Sequence, residues 1–257
     1  MASFLYRLYE GRLRRQVASG PMPRHIGIIL DGNRRSGQAK RISKVDLIYE
    51  AGANKLDDVL DWCGELGIGA VTLWVFSMEN LNRSATEVSG ILSAIEGKLR
   101  KLADDPKIHH RRVRVKAVGK LDLLPEALVA AIENAEQATK AYEAMTLSIA
   151  VAYGGRHEIV DAFRALLRAK SQRGDNLEDI IDQITPEALS GHLYTAGLPD
   201  PDLIIRTSGE VRLSGFLLWQ SAYSEFYFSE VNWPDFRKID FLRAIRSFQQ
   251  RSRRFGR

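Results

Sequence analysis

The sequence predicts an α/β fold: a single domain with a central, mainly parallel β-sheet flanked by helices. Three observations carry that expectation. Short, β-branched and mostly apolar runs recur along the chain. Between them lie segments with apolar residues spaced by three and four. The two kinds alternate from residue 25 onward, the order that builds a parallel sheet from strand–helix–strand units. At 257 residues and 45% hydrophobic composition, the chain fits one large domain with an ample core.

The elements follow in order. Residues 1–22 hold "FLYRLYEGRLRRQV", a basic amphipathic helix, and residues 23–257 form the domain itself. Such a helix ordinarily packs on its own domain or on a partner, and contact with a membrane surface is the alternative. Strands are expected at "HIGIIL" (25–30), "AVTLWVF" (70–76), "VRVKAVG" (113–119), "LSIAVAY" (147–153) and "DLIIRT" (202–207), with "EFYFSEV" as a further strand. Helices are expected over 45–67, 84–103, 125–142, 155–170 and 238–252. Ser84, with Glu87 three residues later, has the pattern of a capping box. "SQRGDNLED" (171–179) reads as a loop, and Thr185 and Pro186 open another helix. There is no repeat, low-complexity block or linker.

Charge and residue inventory narrow the function. A net charge of +5 and a pI near 9.3 point to an anionic partner: phosphate groups, nucleic acid or a membrane surface. No stacking-aromatic motif accompanies the basic residues, which argues against nucleic acid. The single cysteine, Cys63, excludes an internal disulfide framework, and its helical context makes it a buried filler. No apolar run is long enough to span a bilayer and no signal peptide is visible. The cytosol is therefore the expected compartment, with peripheral membrane contact left open. Neither G-x-G-x-x-G nor a Walker loop occurs, so a nucleotide-binding reading loses its main support. His25 stands at the head of a strand, His109 and His110 fall in a charged loop, and His192 lies on a late helix. No Ser-His-acid arrangement or zinc spacing emerges from them.

In an open α/β sheet, ligands bind beyond the carboxyl ends of the strands. Past the first strand come Asp31, Gly32, Asn33, Arg34 and Arg35; past the second, Ser77, Met78, Glu79, Asn80, Leu81, Asn82 and Arg83. Past the fourth comes "YGGRHE" (Tyr153 to Glu158), and past the fifth "RTSGEVRLSG" (Arg206 to Gly215). Each residue alone has a local structural use. Asp31 suits a helix N-cap, Gly32 a turn, Asn80 and Asn82 Asx turns, and Arg206 a bridge to Asp202 or Glu210. Their convergence on one rim favours a site. Several arginines with Gly and Ser suit diphosphate oxygens. One or two carboxylates among them suit Mg²⁺, which takes few protein ligands beside water and phosphate. Helix 84–103, with "VSGILSAIEGKL", could wall an apolar tunnel with Val75 and Phe76; ordinary core packing is the alternative.

"HIGIILDGNRR", "FSMENLNR", "AYGGRHEIV", "DPDLIIRTSGEVRLSGFLLWQSAYSEFYF" and "WPDF…RRFG" resemble, in order and across residues 24–256, the cis-prenyltransferases of the undecaprenyl diphosphate synthase family. The resemblance implies condensation of isopentenyl diphosphate with an allylic prenyl diphosphate to give a cis (Z) prenyl diphosphate. It assigns Asp31 to Mg²⁺ on the allylic diphosphate and Gly32, Asn33, Arg34 and Arg35 to that diphosphate. Arg206, Arg212, Leu213 and Ser214 fall in the segment that binds isopentenyl diphosphate, with Arg83 nearby. Asn80, with Ser77, Met78, Glu79 and Leu81 around it, sits where the family's proton acceptor is proposed. Glu225 matches a carboxylate that reaches the metal, and a homodimer brings it near the partner's site. "RRFG" (Arg253 to Gly256) matches a C-terminal motif that reaches across the dimer.

The departures fall on the allylic side. Ser36 replaces the tryptophan after Gly-Asn-X-Arg, Leu81 replaces the one after Glu-Asn, Lys44 stands in for an arginine, and Ile48 and Tyr49 occupy the place of a Gly-His pair. "RLSGFLLWQ" is more similar to short-chain members than to those with Ser-Asn-Phe, and Val75 is bulkier than a deep tunnel needs. A short product is the expectation. Irregular coupling or cyclisation of isoprenyl diphosphates is one alternative, and a non-catalytic partner subunit on the same fold is another.

Overall fold

The computed structural model describes residues 2–251. Six strands form its sheet: β1 His25–Ile29, β2 Ala70–Trp74, β3 Val113–Val118, β4 Met145–Ala150, β5 Leu203–Arg206 and β6 Glu225–Phe228. They pair in the order β3-β4-β2-β1-β5-β6, and every pairing is parallel. Every residue of β1, β2 and β5 is buried, as continuous apolar runs covered on both faces should be. Side chains alternate between faces. Ile26, Ile28, Leu73 and Ile205 enter the main core, whereas Ile29, Trp74 and Ile204 join a smaller cluster with Phe216 and Tyr153 on the other face.

The strand order creates the crevice. From β1 the chain moves to β2 on one side, and only after β4 does it cross to β5 on the other. The reversal leaves a switch point at the carboxyl ends of β1, β2 and β5, where an open sheet binds its ligands.

The helices are α1 Ala2–Ala18, α2 Asn33–Ala39, α3 Val45–Glu65, α4 Ala85–Asp104, α5 Pro106–His110, α6 Glu126–Thr139, α7 Gly155–Gln172, α8 Leu177–Asp182, α9 Pro186–Ser190 and α10 Lys238–Gln250. The amphipathic α1 packs on its own domain: Leu13 and Val17 are buried in the main core. The Arg237 and Arg243 guanidinium groups lie over the Tyr6 and Tyr9 rings at 5.9 and 5.5 Å. No helix among the described residues is long and apolar enough to cross a membrane.

Several local expectations are corrected. Gly-Asn-Arg-Arg opens the short helix α2, whose start is set by Gly32 at φ 96°. A side chain there would be strained by that backbone, and its Cβ would lie 2.4 Å from Asn232 Oδ1. His109 and His110 lie on α5, started by Asp105, and the His109 ring bridges Tyr142 Oη (2.9 Å) and the Ala103 carbonyl (2.8 Å). The stretch 171–179 contains the end of α7 and the start of α8, which Asn176 caps by accepting from the Asp179 N–H at 3.0 Å. His192 lies in the turn after α9. Cys63 is fully buried, which pushes its thiol pKa up. The "RRFG" motif lies outside the described residues.

Candidate active site

Three strand ends build the cleft. Asp31 follows β1 by two residues, and its backbone is fixed by the Thr207 side chain: the Asp31 N–H donates to Thr207 Oγ1 (2.9 Å), and that hydroxyl lies 2.7 Å from the Asp31 carbonyl. Asp31 Oδ1 accepts from the Gly32 N–H (2.7 Å), and Oδ2 accepts from Arg206 Nη2 (3.0 Å). Arg206, the last residue of β5, is nearly buried; its Nη1 also donates to Ser214 Oγ (2.9 Å) and the Arg212 carbonyl (2.5 Å). Its Nε is buried and has no hydrogen-bond partner among the described residues. The segment after β5 carries Ser208 and Ser214 at positive φ (75° and 52°), backbone strain of the kind that collects at ligand sites.

After β2, Met78–Asn82 form a single 3-10 turn. Ser77 and Asn80 cap it reciprocally: the Asn80 N–H donates to Ser77 Oγ (3.2 Å) and the Ser77 N–H to Asn80 Oδ1 (3.0 Å). The local structural use and the site therefore coincide, because the capped Asn80 also faces the cleft.

The cleft has two polar recesses. One, of about 410 Å³, is lined by Asp31, Phe76, Ser77, Glu79, Arg206 and Ser214 among others. The second, of about 120 Å³, is lined by Gly32, Asn33, Arg34, Arg35, Tyr49 and Ile91 among others. Leu30, Asp31, Val75, Asn80 and Arg83 line both. From the second recess an apolar cavity of about 60 Å³ runs between the sheet and helices α3 and α4, past Leu30, Leu56, Leu73, Val75, Ile95 and Leu99. Phe76 faces only the first recess, so the apolar wall comes from Val75 and α4 rather than from Phe76.

A second polar cluster sits at the mouth of that cavity. Glu87 Oε1 accepts from Tyr49 Oη (2.7 Å) and Arg83 Nη1 (2.8 Å), and Arg34 Nε lies 3.5 Å away. Partial burial pushes the Glu87 carboxyl up, but the Tyr49 hydroxyl and the two guanidinium groups outweigh it and hold it below its ordinary value. Burial, with the Glu87 carboxylate, pushes the Tyr49 phenol far up, so it stays protonated as a donor. Ser84 caps α4 as expected, but Glu87 turns its side chain to this cluster instead of closing the box.

Not every sequence candidate reaches the cleft. Ser36 is buried on α2, lines neither recess and lies close enough to Asp235 to act on its carboxyl, so it faces the Trp233–Asp235 turn. Lys44 is exposed at the start of α3 and lines neither recess. Arg212 is turned outward to Glu210, which Arg35 also pairs at 2.5 Å. Leu213 packs into the smaller apolar cluster, and Met78 and Leu81 pack against the main core. Tyr153 and Glu158 of "YGGRHE" are wholly buried and bonded to each other, with Glu158 also accepting from the Tyr194 N–H (2.9 Å) and Gln220 (3.0 Å). That strand end supplies a buried network rather than a rim. Glu225 begins β6, at the end of the sheet opposite Asp31, and accepts from Arg251 Nη1 at 2.7 Å. Ile48 packs against Gly37, whereas its neighbour Tyr49 faces the cleft. Glu87 carried only a capping signal in the sequence, and its role at the mouth arises because α3 brings Tyr49 against α4.

A family model for undecaprenyl diphosphate synthases matches residues 29–256. The chain is 49% identical over 252 residues to a (2Z,6E)-farnesyl diphosphate synthase of Thermobifida fusca, covering 98% of this chain and 97% of that one. It is equally 49% identical, over 253 residues, to a geranylgeranyl-diphosphate-specific tritrans,polycis-undecaprenyl-diphosphate synthase of Methanopyrus kandleri, covering 98% and 92% of the two. Its fold is similar to the crystal structure of lavandulyl diphosphate synthase from Lavandula x intermedia in complex with dimethylallyl diphosphate (TM-score 0.83, 35% identity, 92% of this chain and 99% of that one). With the parallel sheet, the Asp31 crevice and its apolar extension, these similarities show that the chain is a prenyltransferase and belongs to the undecaprenyl diphosphate synthase family, the cis-prenyltransferases.

Proposed function

We propose that the cleft condenses isopentenyl diphosphate with an allylic prenyl diphosphate to form a short cis prenyl diphosphate. The observation that carries this reading is the junction of two polar recesses, sharing Asp31, Asn80 and Arg83, with one apolar cavity. Arg206 and Ser214 would hold isopentenyl diphosphate in the larger recess, where the unpartnered Arg206 Nε is a donor in reserve. Gly32, Asn33, Arg34 and Arg35 would hold the allylic diphosphate, its tail lying along Val75 and Ile91. Lys44, Arg212, Met78 and Leu81 would act on substrate only through movement of their segments, and Ser36 through the seat of α2.

In this arrangement the allylic C–O bond breaks and its electron pair leaves on the diphosphate. The terminal alkene carbon of isopentenyl diphosphate bonds to the allylic carbon, and the proton lost from the isopentenyl unit passes to an oxygen of the departing diphosphate on the side where Asn80 stands. The guanidinium groups and the α2 N–H groups oppose the charge that builds on the leaving group. The Asp31 carboxylate opens on both recesses and fits Mg²⁺, which takes one or two carboxylates beside water and phosphate. Once bound, the ion would add Lewis-acid neutralisation of the diphosphate. Asp31 and Glu225 do not meet within one chain, so a joint role for them requires a homodimer. Exposed Val211, Leu218 and Tyr223, between β5 and β6, support such a contact. In this reading residues 23–257 are the catalytic domain, 1–22 its N-terminal helix, and the enzyme works in the cytoplasm, with α1 the proposed element for any peripheral membrane contact.

The test is incubation of purified protein with labelled isopentenyl diphosphate, Mg²⁺ and dimethylallyl, geranyl or farnesyl diphosphate. Short Z products are expected, and Asp31→Ala should abolish their formation. No incorporation with any primer would sink the proposal. The likeness to lavandulyl diphosphate synthase favours irregular coupling as the second reading. It requires a branched product from dimethylallyl diphosphate alone, which mass and NMR analysis would reveal.

A further inference from the structure

We infer that an ion pair, Lys98 on α4 with Asp57 on α3, is the stop that ends chain growth in this enzyme. The inference rests on the condensation proposed above and adds what fixes product length, which the equal identities to a farnesyl and an undecaprenyl synthase leave open. Lys98 is buried and lines the mainly apolar cavity beside Ile95 and Leu99, whereas its other polar residues, Asn33 and Tyr49, are shared with the allylic recess at the mouth. Its Nζ donates to Asp57 Oδ1 at 2.5 Å, and the Asp57 side chain is 43% exposed. The hydrocarbon stem therefore faces the cavity while the ammonium reaches outward, the usual way for a lysine to border apolar space.

Ala53, Ala94 and Lys98 line not only this cavity but also a separate outer groove of about 290 Å³ between α3 and α4, rimmed by Asp46, Glu50 and Lys101. The partition between inside and outside is thus two methyl groups and one lysine stem. Along α4, Ile91 borders the allylic recess and Lys98 borders the outer groove, seven residues apart and roughly 10 Å along the helix. A growing tail enters beside Ile91 and meets Lys98 at the far end. To pass, it must push the stem aside and separate the ammonium from Asp57, leaving a cation against hydrocarbon.

Product lengths of Lys98→Ala, Lys98→Met and Asp57→Asn, made with the primer that wild type uses best, test the inference. All three should lengthen the main product by at least one isoprene unit at retained turnover. Asp57→Asn, on the exposed partner, keeps the test available if a Lys98 variant fails to fold, which a thermal melt would show. Unchanged lengths in Asp57→Asn and Lys98→Met would overturn the ion pair as the stop, even if Lys98→Ala lengthened the product, because bulk alone would then set it. Wild-type protein that incorporates no isopentenyl diphosphate would instead refute the condensation itself.

Discussion

Arg206 and Asp31 join the carboxyl ends of β5 and β1 through a 3.0 Å ion pair in which the guanidinium is nearly buried and the carboxylate half-open. The other terminal nitrogen of Arg206 grips Ser214 and the Arg212 carbonyl. One side chain thus ties the carboxylate to the loop that closes the larger recess, and the planar fork can do this where an ammonium cannot.

Arg206→Lys should lower kcat/KM for isopentenyl diphosphate by about ten- to a hundredfold, from hydrogen bonds to charged groups worth about 1.5–3 kcal/mol. Kinetics with isopentenyl diphosphate varied at saturating allylic primer are the measurement. An undiminished kcat/KM would mean that the fork only braces the loop.

The Tyr49–Glu87–Arg83 cluster should govern the allylic partner. Tyr49→Phe removes a 2.7 Å bond to Glu87 and should cost about 1 kcal/mol of stability. It should also change KM for the allylic primer while leaving KM for isopentenyl diphosphate near wild type. Glu87 has a depressed folded pKa, so its stabilisation is present above the ordinary carboxylate pKa and fades as pH falls through the lower folded value. Glu87→Gln should therefore flatten the acid limb of a stability–pH curve below about pH 4. Parallel limbs in the two proteins would contradict the assignment.

His25 should make the fold sensitive to milder acid. Burial lowers its pKa, against the Pro199 carbonyl and Asp202, which favour the charged ring. Its nitrogens lie 2.7 Å from the Pro199 carbonyl and 2.8 Å from Thr72 Oγ1. The unfolded chain binds the proton more readily than the native one, so stability declines as pH falls below about 6.5 toward the folded value. Urea midpoints at about pH 7 and about pH 5 should differ more in wild type than in His25→Gln. Equal differences would show that other groups set the slope.

The alternation of apolar runs and helical spacing determined the parallel sheet, since a run buried on both faces must be covered by crossovers. The Asp-Gly-Asn-Arg-Arg and Arg-Thr-Ser-Gly stretches were legible as rim residues for the same reason: strand ends in such a sheet converge. Side-chain direction was not legible. Ser36 follows Arg35 of the cleft and Lys44 lies five residues before Tyr49, yet α2 turns Ser36 toward Asp235 and α3 leaves Lys44 in solvent. "YGGRHE" follows a strand, yet burial of Glu158 turned it into an internal network. Only the packing of α3 on α4 brought Tyr49 to Glu87 and Lys98 to Asp57, partners 38 and 41 residues apart. Local sequence sets periodicity and strand ends; which side chains face the cleft depends on helix rotation and long-range contact, which tertiary packing alone decides.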